Sequence, residues 1–322
     1  MTPPAFTDAV AVPAPFPATP LVDDAGRTAS WAADVALLVR PRIAVMVLAT
    51  VASAFWLTAG RPESVAGLLA VLGGTALVAA SSSVANQIRE LTTDRSMART
   101  ASRPVAAGRL ATRDAWGITA VTLVLGSVAI WAGGGVWATV AAFATWLLYV
   151  LVYTPLKRVT PLNTAVGAVA GALPVAIGWC AAGGPARLAA GDARSALAVA
   201  ALATVLYLWQ FPHFMAIAWL YRRQYEAAGL RMLTVVDPSG LRAAGQSLAA
   251  ALAMVPASLV LAVPSGSSPL FLLAAAASLA YVLASVRFAV RRDDASARVL
   301  LLTSLGSLLG LLTAAVVFGR PV

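Results

Sequence analysis

The chain is poor in the residues a soluble enzyme of its size depends on. Only 11% of its 322 residues are charged, 60% are hydrophobic and the mean hydropathy is +0.83. Soluble domains carry roughly 25% charged residues, so a water-facing globular protein is excluded. A single cysteine, Cys180, excludes an internal disulfide and any cysteine-cluster metal site. Histidine and lysine are as scarce: His213 and Lys157 are the only ones. Arginine in place of lysine, together with abundant alanine, points to a GC-rich bacterial genome. Residues 1–32 are rich in Pro, Ala and Thr and lack both a basic start and a long apolar run. That argues against a cleaved signal peptide and predicts a disordered cytoplasmic tail ahead of a domain at 33–322.

What the chain has instead is apolar runs. About 20 helical residues cross a bilayer core, and nine runs qualify, roughly 36–58, 64–88, 114–132, 136–154, 163–182, 195–220, 242–263, 269–290 and 299–318. Gly and Pro inside short runs suit helices far better than barrel strands. The expectation is an all-α polytopic membrane protein with nine transmembrane helices. The net charge of +10 could suggest nucleic acid, but the basic residues alternate by side. All but Arg61, Arg187, Arg194 and Arg320 fall near the start of the first run or at every second connection and the run ends that flank it. Under the positive-inside rule those segments and the N-terminus are cytoplasmic, so much of the charge encodes topology and no nucleic-acid partner is expected.

Two of the basic connections, roughly 89–113 and 221–241, are long and polar, and loops of that length in a compact protein usually have a function. The first carries N-x3-E-x3-D-x2-M-x-R-T-x2-R-P, from Asn86 to Pro104. If the second helix continues through it, Glu90 lies about 40° and Asp94 about 80° from Asn86, with about 12 Å of rise across the three. Carboxylates so close repel, and a hard divalent cation such as Mg²⁺, which takes one or two carboxylates and keeps sites for phosphate, would relieve them through Asn86, Glu90 and Asp94. Arg99 and Arg103 follow, and guanidinium groups beside a clamped cation are suited to a diphosphate. A diphosphate at the membrane rim with an apolar remainder inside describes a polyprenyl diphosphate. The plainer alternative is a solvated helix end on which the acids pair with Arg89, Arg95 or Arg99.

These residues resemble the first aspartate-rich motif of the UbiA-type intramembrane prenyltransferases, most closely the branch that farnesylates protohaem. The resemblance covers nearly all of the chain after residue 36, through "RPRI" at 40–43, "YTPLKRVTPLNTAVGAVAGALPVAIGW" at 153–179 and "LWQFPHFMAIAWLYRRQYEAAGLRML" at 208–233. It implies a UbiA-type helical bundle in a bacterial inner membrane that joins the farnesyl group of farnesyl diphosphate to a vinyl group of haem B, making haem O. Mg²⁺ would sit on Asn86, Glu90 and Asp94, and these three with Lys157 would be catalytic. Arg99, Arg103, Arg158, Tyr221, Arg222 and Gln224 would contact the diphosphate.

The resemblance also gives His213 a contact with haem. On the residues alone, an ionisable side chain inside a membrane helix is a candidate ligand, and a packing role bonded to a neighbouring helix fits equally well. Asn163 could cap the fifth helix. At Gln224 the chain departs from the family, which usually has an acid before the tyrosine that is Tyr225 here, so a second metal would find a carbonyl oxygen there but no charge. No protein base is evident. The resemblance further implies haem A synthase or a terminal oxidase as downstream partners. Two rival readings are a prenyltransferase for a quinone precursor or another aromatic acceptor, and a non-catalytic haem or isoprenoid transporter or assembly factor.

Overall fold

The structure, a computed structural model, describes residues 30–319. Most of the expected tail lies outside that range, as does Arg320. Its last residues do not continue a tail. Ser30 caps a short helix, α1 (Trp31–Val39), by accepting a hydrogen bond from Ala33 N at 3.3 Å. The first long helix therefore starts later than hydropathy implied. Arg40 breaks the chain with a left-handed backbone (φ 49°, ψ 67°), and α2 (Pro41–Ala59) begins with proline in its first turn, where the missing N–H costs nothing.

Helix α3 (Val65–Arg89) leads into a short α4 (Leu91–Ser96). The next apolar stretch, Thr112–Leu156, is 45 residues long, about twice what a bilayer needs. Gly135 divides it: its φ of 78° and ψ of −178° are not helical, and a side chain there would be strained. That the chain reverses at this glycine follows from Ser81 on α3. Its hydroxyl donates to Thr119 O at 2.8 Å and accepts from Trp146 Nε1 at 3.0 Å. Residues on either side of Gly135 thus meet α3 at one level, which a straight rod forbids. With α5 (112–134) and α6 (136–156) counted separately, the eight apolar stretches among the described residues become nine spans, as expected from sequence.

The remaining spans are α7 (Asn163–Ala181), α9 (Ala193–Leu220), α12 (Leu241–Val260), α13 (Ser268–Arg291) and α14 (Asp294–Phe318), with α8 (Gly184–Ala189), α10 (Arg222–Ala227) and α11 (Leu233–Val236) as short connectors. Lipid is as apolar as a leucine core, so helices in a membrane associate by close packing of small residues. At Gly74 an added Cβ would stand 2.6 Å from Gly126 O, and at Gly126 2.7 Å from Gly74 O, so α3 and α5 touch backbone to backbone. Helix α9 is the most enclosed. Val205, Trp209 and Trp219 on it pack among Met254 of α12, Tyr281 and Phe288 of α13, and Leu300 and Leu308 of α14. Large side chains such as Leu69, Val124, Trp131, Leu272 and Leu302 point outward with more than half their surface free, the pattern of a bundle whose outer solvent is lipid.

The two long polar connections fold onto each other. Met97, from the loop after α4, packs against Ala218, Tyr225, Leu230 and Met232 around α10, and together they cover the basic end of the bundle. Helix α1 is fastened to the same end, since Gln87 Nε2 donates to Leu37 O at 3.0 Å and Arg109 grips Asp34 at 2.7 Å.

Candidate active site

Helix α3 does not run unbroken through the acidic motif. Glu90 is its C-terminal cap, with φ −95° and ψ 10°, and α4 starts afresh after it. Asp94 N still donates to Glu90 O at 2.7 Å, so the two carboxylates remain one turn apart. Asp94 is fully buried and the Glu90 side chain is 12% exposed, which rules out the solvated helix end. Nor do the acids pair with Arg89, Arg95 or Arg99. Lys157 Nζ donates to Glu90 Oε1 at 2.8 Å, and Arg103 Nη1 donates to Asp94 Oδ1 and Oδ2 at 2.6 and 2.7 Å. The same nitrogen lies 3.8 Å from Glu90 Oε2.

Lys157 reaches the site because of how α6 ends. The turn over Leu148–Tyr153 is π-helical, and such an inserted residue rotates everything beyond it by about 100°, a device frequent at functional sites. Thr154 is turned inward, accepting from Asn86 Nδ2 at 3.2 Å and donating to Tyr149 O at 2.9 Å. The Lys157 ammonium lies 4.5 Å over the Tyr153 ring, a favourable cation–π contact. Arg158 is exposed and is not drawn into the cluster.

Burial alone would raise the Glu90 carboxyl, but Lys157, helped by Arg40 and Arg103, outweighs it and holds the group below its ordinary value. Asp94 goes the other way: burial pushes its carboxyl up, Glu90 adds to this, and Arg103 offsets only part. Against its own burial, Lys157 is held protonated by Glu90. One acid is thus fully compensated and the other is not. A positive nitrogen already lodges between the two carboxylates, and hard oxygen donors with one acid under-neutralised suit a divalent cation. Among the described residues no three His, Cys, Asp or Glu gather for a metal, so a cation here would complete its shell with oxygens from a ligand.

Asn86, expected beside these acids as a ligand, is wholly buried, and both ends of its amide are engaged. Its oxygen accepts from Arg40 Nη2 at 3.1 Å while its nitrogen donates to Thr154. Sequence reading treated Arg40 as a topology signal and missed this contact. The signal that could have found it is the Arg-Pro pair: the proline starts α2, and the arginine before it takes a left-handed backbone, a strain that clusters at functional sites.

Arg99, on the first loop, packs against the second. Its guanidinium sits 4.4 Å over the Tyr221 ring and 5.5 Å over Tyr225, donates to Tyr225 Oη at 3.1 Å, and its backbone N–H reaches Gln224 Oε1 at 3.4 Å. Tyr221 and Gln224 are thereby brought to the first loop. Arg222 is not: it donates to Asp294 Oδ1 at 2.9 Å and to Trp219 O at 2.6 Å, facing the start of α14. Asn163 does not cap α7, because Leu162 holds that position; its nitrogen donates instead to Thr160 O at 2.7 Å and Arg231 O at 3.3 Å. His213, in α9, bonds Ser304 of α14 at 2.8 Å.

Residues 46–317 match the UbiA prenyltransferase family. A protein of Rhodopirellula baltica named "Protoheme IX farnesyltransferase" is 42% identical over 276 residues, covering 83% of this chain and 93% of that protein. One of the same name from Solibacter usitatus is 35% identical over 277 residues, covering 83% and 92%. Among solved structures, a UbiA homolog from Archaeoglobus fulgidus bound to GPP and Mg²⁺ superposes with a TM-score of 0.62 at 15% identity, covering 88% of this chain and 99% of that one. At that identity the likeness bears on the fold. The sequence match, which runs from α2 through the acidic motif to α14, bears on ancestry: the chain is a multi-pass membrane protein of the UbiA prenyltransferase family.

Proposed function

We infer that this protein transfers the farnesyl group of farnesyl diphosphate to a vinyl group of protohaem IX, forming haem O and releasing diphosphate. The observation that carries the reading is the 42% identity to a protein named for that activity, over a span that includes the buried acid–base cluster. In this reading the basic end faces the cytoplasm of a bacterial inner membrane, and the isoprenoid enters from the lipid.

Glu90 and Asp94 would hold Mg²⁺, which supplies positive charge to the diphosphate as it departs. Asn86 holds Arg40 against the cluster instead of contributing its engaged amide oxygen. Lys157 and Arg103, now spending their charge on the acids, bind the diphosphate oxygens, with Arg99 and Tyr221 at the rim. Arg222 and Arg158 take no part. Stabilising the leaving group is the main source of rate: the bond from farnesyl C1 to oxygen breaks, and the allylic cation is left among apolar side chains. The two loops packed through Met97 keep water from quenching it to farnesol. The terminal vinyl carbon of haem attacks C1, a water adds to the other vinyl carbon, and its proton returns to solvent.

The test is the purified full chain with Mg²⁺, haem and farnesyl diphosphate, read by mass spectrometry of the porphyrins and by released diphosphate. Haem O is the expected product. Diphosphate release with unmodified haem would move the activity to another acceptor, and neither product would leave a binding protein.

A further inference from the structure

His213 makes no contact with the acid–base cluster. Its ring stacks on Trp209, with centroids 4.6 Å apart and planes within 23°. Two hydrogen bonds fix the wall on which it lies, Trp209 Nε1 to Ser304 O at 2.7 Å and Tyr281 Oη to Trp209 O at 2.7 Å. Helices α9, α13 and α14 are therefore pinned at one level, around one imidazole.

The tautomer of that imidazole is decided one bond further away. His213 Nδ1 lies 2.8 Å from Ser304 Oγ, and either atom could in principle donate. A serine hydroxyl has only one hydrogen, and Ser304 places it on Leu301 O at 2.6 Å, an atom that can only accept. Ser304 Oγ must then accept from His213, which puts the proton on Nδ1 and the lone pair of the neutral ring on Nε2. Nε2 makes no hydrogen bond among the described residues, yet it is not among their sealed, unpartnered polar atoms. A histidine kept only for packing would have both nitrogens satisfied. Here the unsatisfied one is the nitrogen whose lone pair is free to bind a metal.

We propose that Ser304 is a positioning residue that holds His213 in the Nδ1–H form, so that Nε2 serves as an axial ligand to the iron of the haem acceptor. This rests on the haem-transferase reading above. A hydrogen bond at the far nitrogen orients the ring and raises its basicity, and losing such a partner typically costs roughly 10–100-fold in metal affinity.

The experiment is a haem titration of the full chain in detergent, without farnesyl diphosphate, followed by absorption, electron paramagnetic resonance and resonance Raman spectra. Wild type should show imidazole-ligated iron. His213→Gly should lose that signature and regain it with added imidazole. Ser304→Ala should keep ligation, bind haem about tenfold more weakly, at the low end of that range, and shift the iron–histidine stretch downward; Ser304→Thr should restore both. The imidazole and threonine arms keep the test decisive if Ser304→Ala folds poorly. A His213→Gly spectrum equal to wild type, or a Ser304→Ala protein indistinguishable from wild type, overturns the proposal. The product assay reads separately: haem O made by wild type with His213→Gly spectrally unchanged sinks the ligand and spares the transferase, whereas imidazole-ligated haem with no prenylated product supports the ligand and sinks the transferase.

Discussion

At the basic end of the bundle, side chains from distant segments neutralise one another: Glu90 and Asp94 lie between Lys157 and Arg103, with Arg40 close by. Within α9 the only histidine is held by neutral partners alone, Ser304 and Trp209. The difference reflects the two surroundings. Full charges are tolerable at the rim because each finds a counter-charge there, and because loops and water are near. Inside the apolar layer an unpaired charge costs roughly 2.5–3.5 kcal/mol by insertion scales, so polarity there takes the form of a hydrogen-bonded neutral ring.

The sharpest way to break this contrast is to remove one partner of a buried pair. Lys157→Met removes the only hydrogen-bonded counter-charge of Glu90, leaving Arg103 at 3.8 Å, and should cost up to about 3–5 kcal/mol of stability, seen as a lower melting temperature in detergent; an unchanged melt would mean that the pair is not closed in the membrane. Glu90→Gln and Asp94→Asn keep shape and remove charge, and each should lower turnover by about 10²–10³-fold while haem still binds. Full activity in either would detach the cluster from the chemistry. Conversely, Ser304→Asp introduces a charge at the neutral site, and should cost roughly 2.5–3.5 kcal/mol. If it melts with wild type, that site is wetter than described.

Acid separates the two carboxylates. Glu90 is held below its ordinary 4.5, so its stabilisation is complete above that value and drains away as pH falls through the lowered one. Asp94 is raised above its ordinary 3.8, so the folded state binds its proton more tightly and gains stability as pH falls through that window. Asp94→Asn should therefore be acid-labile and Glu90→Gln acid-stabilised in melts taken across this range. Parallel slopes would contradict the opposite environments assigned to the two. The smallest effect belongs to a charge at the same end but outside the cluster: Arg222→Ala loses a half-exposed pair with Asp294, worth at most about 1 kcal/mol, with turnover unchanged. A large loss of turnover there would bring Arg222 back to the diphosphate.

Local patterns were readable. A span is a property of some twenty neighbouring residues, and the one-turn spacing of Asn86, Glu90 and Asp94 is set by their four-residue intervals, so both were visible along the chain. The break at Glu90 and the π-turn before Lys157 were not, because neither carries a composition signal of its own. The turn at Gly135 was visible as the gap between the runs 114–132 and 136–154, and Ser81, bonded to both arms, shows where on α3 the two arms meet. Arg222 and Arg99 looked equivalent, both expected at the diphosphate, and packing separated them, sending one to Asp294 and the other between Tyr221 and Tyr225.

By itself, the sequence determined that this protein lives in a bilayer, how many times it crosses, which end is basic, and that acids and arginines meet at that end, because hydropathy and charge are summed over adjacent residues. Only the tertiary structure decided that Lys157 answers Glu90, that Arg40 claims Asn86, and that Ser304 sets the proton on His213. Those contacts join residues 67, 46 and 91 positions apart, and no helical period reaches that far. Which partner a buried polar atom finds is settled by how the helices pack.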